Sequence, residues 1–93
     1  MITETQKTIF SQINGKQWNS LNYKILTLNE NNMDGLRIHK GKKSFDIFHN
    51  ENTDLYDCRE VTIKEGLTFD INWIKGIFCE NLQDLIRNHF YFN

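Results

Sequence analysis

The side chains in this chain that could do chemistry are few and scattered. His39, His49 and His89, with Cys58 and Cys79, are the imidazole and thiolate donors that zinc takes. Paired spacings of the C-x₂-C or H-x₃-H kind are absent, so no metal ligands are assigned. The two cysteines lie 21 positions apart and read as reduced thiols of a cytosolic protein; a disulfide between them stays open. A nucleophile needs a base held against it. Ser11, Ser20 and Ser44 stand in ordinary helix, loop and strand contexts, and no G-x-S-x-G elbow is present. Asp54, Asp57 and Glu60 are dense enough to suggest metal-dependent nuclease chemistry, but residues i and i+3 of a strand point to different faces. The glycines are dispersed as turn residues, with no phosphate-cradling loop. The expectation is a non-enzymatic protein with no catalytic, cofactor-binding or metal-binding residues.

Charge is more informative. The net charge of −1 argues against a nucleic-acid coat, because that affinity scales with the phosphates neutralised. The balance is uneven: residues 1–47 carry +3 and residues 48–93 carry −4. The basic excess peaks at Arg37, Lys40, Lys42 and Lys43, with His39 among them and Phe45 and Phe48 nearby. The chain ends Phe90-Tyr91-Phe92-Asn93, and three successive aromatics cannot all face one core. They fold back across the sheet or leave an apolar patch that suits a protein contact. The expected partner-binding surface is therefore Arg37, His39, Lys40, Lys42 and Lys43 with Tyr91 and Phe92.

These residues must be positioned by a small fold. With 93 residues, 39% of them hydrophobic and 13% aromatic, the chain reads as a single domain over 1–93 with a real core. No apolar run reaches the ~20 residues that span a bilayer, and no secretory signal pattern opens the chain, so no membrane partner and a cytoplasmic location in a bacterial host cell are expected. Thr3 and Gln6 form a capping-box pattern ahead of Ile9, Phe10 and Ile13 at helical spacing, and Asn14-Gly15 ends that helix. Leu21 to Leu28 reads as a strand, with Leu26 and Leu28 on one face and Tyr23 and Ile25 on the other. Asn29 to Asp34 reads as a loop closed by an Asp34-Gly35 turn. Leu36 to Lys40 and Ser44 to His49 form the strongest hairpin signal, with Leu36, Ile38, Phe45 and Ile47 on one face and Arg37 and His39 on the other. Leu55 to Ile63 reads as a long strand bulged near Arg59-Glu60, because Tyr56 and Cys58 are out of phase with Val61 and Ile63.

Leu67, Phe69, Ile71 and Trp73 alternate with polar residues, a strand signal. A single helix from about residue 70 would also satisfy the spacing of Ile71, Ile74, Phe78, Leu82, Leu85 and His89. Gly76 in its middle would cost about 1 kcal/mol against Ala, which favours strand, glycine break, then helix. Leu82, Leu85, Ile86, His89 and Phe90 make the stripe of a closing amphipathic helix. The fold class is α+β: an N-terminal helix, an antiparallel meander of about five strands, and a C-terminal helix packed on the sheet. The connections are too short for parallel crossovers.

The run Ile9-Phe10-Ser11-Gln12-Ile13-Asn14-Gly15-Lys16-Gln17-Trp18, then Asp54-Leu55-Tyr56-Asp57, then Trp73-Ile74-Lys75-Gly76-Ile77-Phe78-Cys79-Glu80-Asn81-Leu82 resembles a group of small phage and mobile-element proteins. In those a short helix precedes a meander and a glycine step leads into a closing helix; Asn88-His89-Phe90-Tyr91 departs from their usual ending. The group is largely of unassigned function, so the resemblance transfers no site residues. It implies a binding protein aimed at a larger protein or ribonucleoprotein, of the kind that inhibits host defence, including anti-CRISPR proteins acting on an RNA-guided effector. The alternatives are direct binding of RNA or single-stranded DNA by the basic hairpin 37–43, and a structural homodimer joined through an edge strand or the C-terminal aromatics.

Overall fold

A computed structural model describes residues 2–65 and 68–92, the side chain of Phe92 excepted. Helix α1 (Glu4–Gln12) starts at the Thr3 capping box: the Gln6 amide N–H donates to Thr3 Oγ1 at 3.2 Å, and Gln6 Oε1 accepts from the Thr3 N–H at 2.9 Å. The helix breaks at Asn14, whose φ of 56° is left-handed, and a second short helix α2 (Gly15–Ser20) follows. Asn14, and not Gly15, takes the left-handed conformation that ends the helix. Asn tolerates that conformation itself, and Gly15 is needed for space: a Cβ there would lie 2.3 Å from the Phe10 ring.

Five strands follow: β1 (Lys24–Glu30), β2 (Met33–Lys40), β3 (Lys43–Asn50), β4 (Leu55–Lys64) and β5 (Thr68–Ile77). They pair antiparallel in the order of the chain. The expected loop over Asn29 to Asp34 is wrong in extent. The turn is Asn31-Asn32 alone, both at positive φ, as a two-residue hairpin requires. Asp34 and Gly35 are paired strand residues instead. The expected bulge at Arg59-Glu60 is also corrected. β4 is regular there, and Tyr56 and Cys58 differ in phase from Val61 and Ile63 because the two pairs lie on opposite faces. The irregularity lies opposite Tyr56 and Cys58, on β5 near Gly76, whose φ is 71°. Residues 68–77 are strand, as preferred over one long helix; Gly66 and Leu67, which the reading placed in the preceding turn and strand, lie outside the described residues.

A 3₁₀ turn (Cys79–Asn81) then leads into helix α3 (Leu82–Arg87) and a closing π-helical turn over Asn88–Phe92. Both ends of the chain pack on one face of the sheet. Ile9 and Ile13 from α1, Trp18 from α2, Leu82 and Ile86 from α3, and Leu36, Ile38, Phe45, Ile47 and Cys58 from the strands form the core. His89 is buried against Phe45, completing the stripe as expected. The Ile13 carbonyl accepts hydrogen bonds from Trp18 Nε1 and from Gln83 Nε2, which joins α1 to α3. Cys58 is buried and Cys79 exposed, and both are free thiols. Among the described residues no helix is long and apolar enough to cross a membrane.

Candidate functional site: the open face of the sheet

Strand alternation sends every second side chain away from the helices. On β2, β3 and β4 the register sets Arg37, Asp46 and Arg59 directly opposite one another on that outer face. Asp46 is fully buried and is clasped from both sides. Arg37 Nε donates to its Oδ1 at 2.7 Å and Nη2 to its Oδ2 at 3.1 Å; Arg59 Nε donates to Oδ2 at 2.7 Å. Arg59 also forks onto Glu30 at the end of β1, with Nη1 at 3.2 Å from Oε1 and Nη2 at 2.8 Å from Oε2. These charge-assisted bonds hold the Glu30 carboxyl below its ordinary value and raise both guanidinium values, Arg59 chiefly through Glu30 and Arg37 chiefly through Asp46. Two cations and two anions thus neutralise one another on this face.

Aromatics complete the arrangement. Phe48 is buried beneath the outer face and stacks on Trp73 at 6.0 Å between centroids. The Arg59 guanidinium lies 5.4 Å from the Phe48 ring centre and 5.1 Å from that of Trp73, within cation–π range. Phe48 fits there because Gly35 is its partner across the ladder and has no side chain to displace it. Around this floor Leu26, Val61, Ile63, Phe69 and Ile71 line a groove of about 560 Å³. His39 and Ser44 close one end, Nδ1 and Oγ lying 2.9 Å apart. Phe69 is 63% exposed, Ile71 54% and Trp73 43%, an apolar row on β5, and Leu26, 49% exposed on β1, stands across an internally paired charged floor from it.

The expected contact residues are dispersed by the same alternation. Arg37 lies in the groove, tied to Asp46, and His39 lines it. Lys40 sits on the helix side: its Nζ donates to the Leu21 carbonyl at 3.2 Å and lies 4.6 Å from the Tyr23 ring centre. Lys43 Nζ donates to the His89 carbonyl at 2.9 Å and so ties the closing turn to β3. Lys42 stands at the turn, where its carbonyl accepts from the Ile63 N–H at 2.7 Å, and its Nζ has no polar partner among the described residues. The hairpin is therefore not one cationic platform. Tyr91 is exposed and stacks on Trp18 at 6.3 Å, so the end folds back at that residue; the side chain of Phe92 lies outside the described residues. Asp54, Asp57 and Glu60 diverge: Asp54 meets His49 at 2.9 Å, Asp57 meets Asn50 and the Gly76 N–H, and Glu60 meets Asn72.

Asp46, Arg59, Leu26 and the Phe69–Ile71–Trp73 row are site residues the reading of the sequence missed. The signal was present in the shared parity of Arg37, Arg59 and Trp73 once the strand register is known. Comparison of the chain with protein-family models, with characterised proteins and with solved structures finds no match.

Proposed function

We propose that this chain is a small non-enzymatic binding protein that docks on a larger protein through the open face of its sheet. The observation that supports this reading is the exposed apolar row Phe69, Ile71 and Trp73 on β5, facing Leu26 on β1 across a floor whose charges are already paired. A row of exposed large apolar side chains is the ordinary signature of a contact surface. The pre-formed Arg59–Trp73–Phe48 stack supplies a rigid aromatic and arginine centre, the residue types that carry most binding energy in interfaces. Within this reading the partner is a larger protein or ribonucleoprotein, and the resemblance to small phage proteins makes inhibition of a host defence machine, such as an RNA-guided effector, the expected role.

The test is capture of RNA-guided effector complexes, and of partners from a bacterial lysate, on the immobilised chain. Leu26→Asp is expected to abolish capture and to keep the wild-type circular dichroism spectrum. The combined change of Lys40, Lys42 and Lys43 to Ala is expected to retain capture. The reverse pattern would move the contact to the hairpin and overturn the reading. A mobility shift with single-stranded RNA, lost steeply with salt, would replace it with nucleic-acid binding.

A further inference from the structure

The sheet has two edges, and they are not alike. α2 packs beside β1, and the helical layer extends across β2, β3 and β4, with Ile74 and Ile77 of β5 packed against the same core. The first part of β5 lies beyond that cover: from Thr68 to Trp73 every residue is exposed. Its outer edge is a row of backbone donors and acceptors facing no neighbouring strand among the described residues. Soluble proteins blunt such edges with proline, lysine or an early bulge. Here the stretch Thr68–Ile74 contains no proline and no lysine, and the bulge at Gly76 comes only after it.

We infer that β5 pairs antiparallel with β5 of a second copy of this chain, about a two-fold axis at Ile71. Side-chain chemistry selects that register. With Ile71 opposite Ile71, Phe69 of each copy meets Trp73 of the other on the outer face, and Asp70 meets Asn72 on the helix side. Aromatic and branched pairs directly opposite one another stabilise antiparallel ladders, and like charges opposite one another destabilise them. Centring the pair on Asp70 sets two carboxylates together. Centring it on Asn72 sets Phe69 against Lys75 and Asp70 against Ile74. A slip of one residue turns the second copy over and lays the apolar row beside Asp70 and Asn72. The chosen register puts both helical layers on one side of a ten-stranded sheet and both grooves on the other. The β1 edge is the poorer candidate: its outer face offers one strongly exposed apolar residue, Leu26, and Glu30 is already held by Arg59.

The inference concerns self-association and stands independently of the docking reading. Its test is the mass of the purified full chain by light scattering and sedimentation, from about 10 to 500 µM, the range suited to a small interface. The expected result is a rise from monomer to dimer mass, abolished by Ile71→Lys and unchanged by Thr27→Lys on β1. Ile71→Cys in a Cys79→Ser background is expected to form a covalent dimer on mild oxidation, because residues opposite one another lie ~4.5–5.5 Å apart between Cα atoms, within disulfide reach. A monomer across the whole range overturns the inference. So does a dimer that Ile71→Lys leaves intact, or one that Thr27→Lys breaks. Leu26→Asp, which tests docking, lies off this edge, so the two proposals fail separately.

Discussion

Asp46 holds a carboxylate out of water between two guanidinium groups, and this one residue decides what the open face can be. Replacing a buried ion pair by apolar groups is often neutral, but removing one member leaves its partners unpaired. Asp46→Ala leaves Arg37 without its carboxylate partner and Arg59 with Glu30 alone, at side-chain exposures of 32% and 14%. A loss of about 3–5 kcal/mol is expected in urea unfolding. Arg37→Ala leaves Asp46 with Arg59 and is expected to cost less, about 1–2 kcal/mol. Equal losses in the two variants would show that the clasp does not act as described. The carboxylate also fixes register: a slip of one residue along β3 would thrust it into the Phe45 and Ile47 layer.

At the scale of elements, β2 and β3 meet more closely than side chains normally permit. A Cβ on Gly35 would stand 2.3 Å from the Ile47 carbonyl oxygen and 2.7 Å from the Phe48 ring. Gly35→Ala must therefore push the strands apart or evict Phe48 from beneath Arg59. A loss of about 2–3 kcal/mol is expected in denaturant titrations, and an unchanged midpoint would contradict the close approach. This glycine also shows where reading the sequence stops. Asp34-Gly35 carries the composition of a turn, and only the pairing of Gly35 with Phe48 reveals a glycine selected for space. The faces of Leu36, Ile38, Phe45 and Ile47 were legible because parity alone sets them. The capping box at Thr3 was legible because its partners lie three residues apart. The phase of β5 was not, because Phe69, Ile71 and Trp73 alternate like a core-facing row. Their outward direction follows from the pairing of Cys58 with Ile74, which puts Ile74 and not Trp73 on the helix side. Nor was the clasp, since Asp46 lies nine residues from Arg37 and thirteen from Arg59, and only the register of three strands brings them together.

For the whole molecule, burial sets the alkaline limit of stability. It raises Tyr23 to about 12, helped by Tyr91, and Cys58 to about 12, from ordinary values of 10.0 and 9.0. The unfolded chain ionises these groups first, so it binds fewer protons than the folded chain and stability falls as pH rises from about 9 to about 12. Glu30 acts at the other end with the opposite sign: its lowered value stabilises the fold above its ordinary 4.5, and that support fades as pH falls through its folded value. Solvent exposure of Glu30 keeps the acid contribution small. Melting temperature against pH is expected to fall more steeply on the alkaline side than on the acid side of neutrality through these groups. Tyr23→Phe is expected to flatten the decline between pH 10 and 12; an unchanged slope would remove the phenol from the account.

Strand order equal to chain order has a kinetic meaning. Each ladder joins neighbours through a short turn, so the sheet can zip at little loop-closure cost. The hydrogen bond from Gln83 to the Ile13 carbonyl spans seventy residues and so carries a loop-closure cost that the neighbouring ladders do not. The contact between α1 and α3 is in that sense a latch: it joins the two ends of the chain over one face of the sheet and leaves the opposite face uncovered.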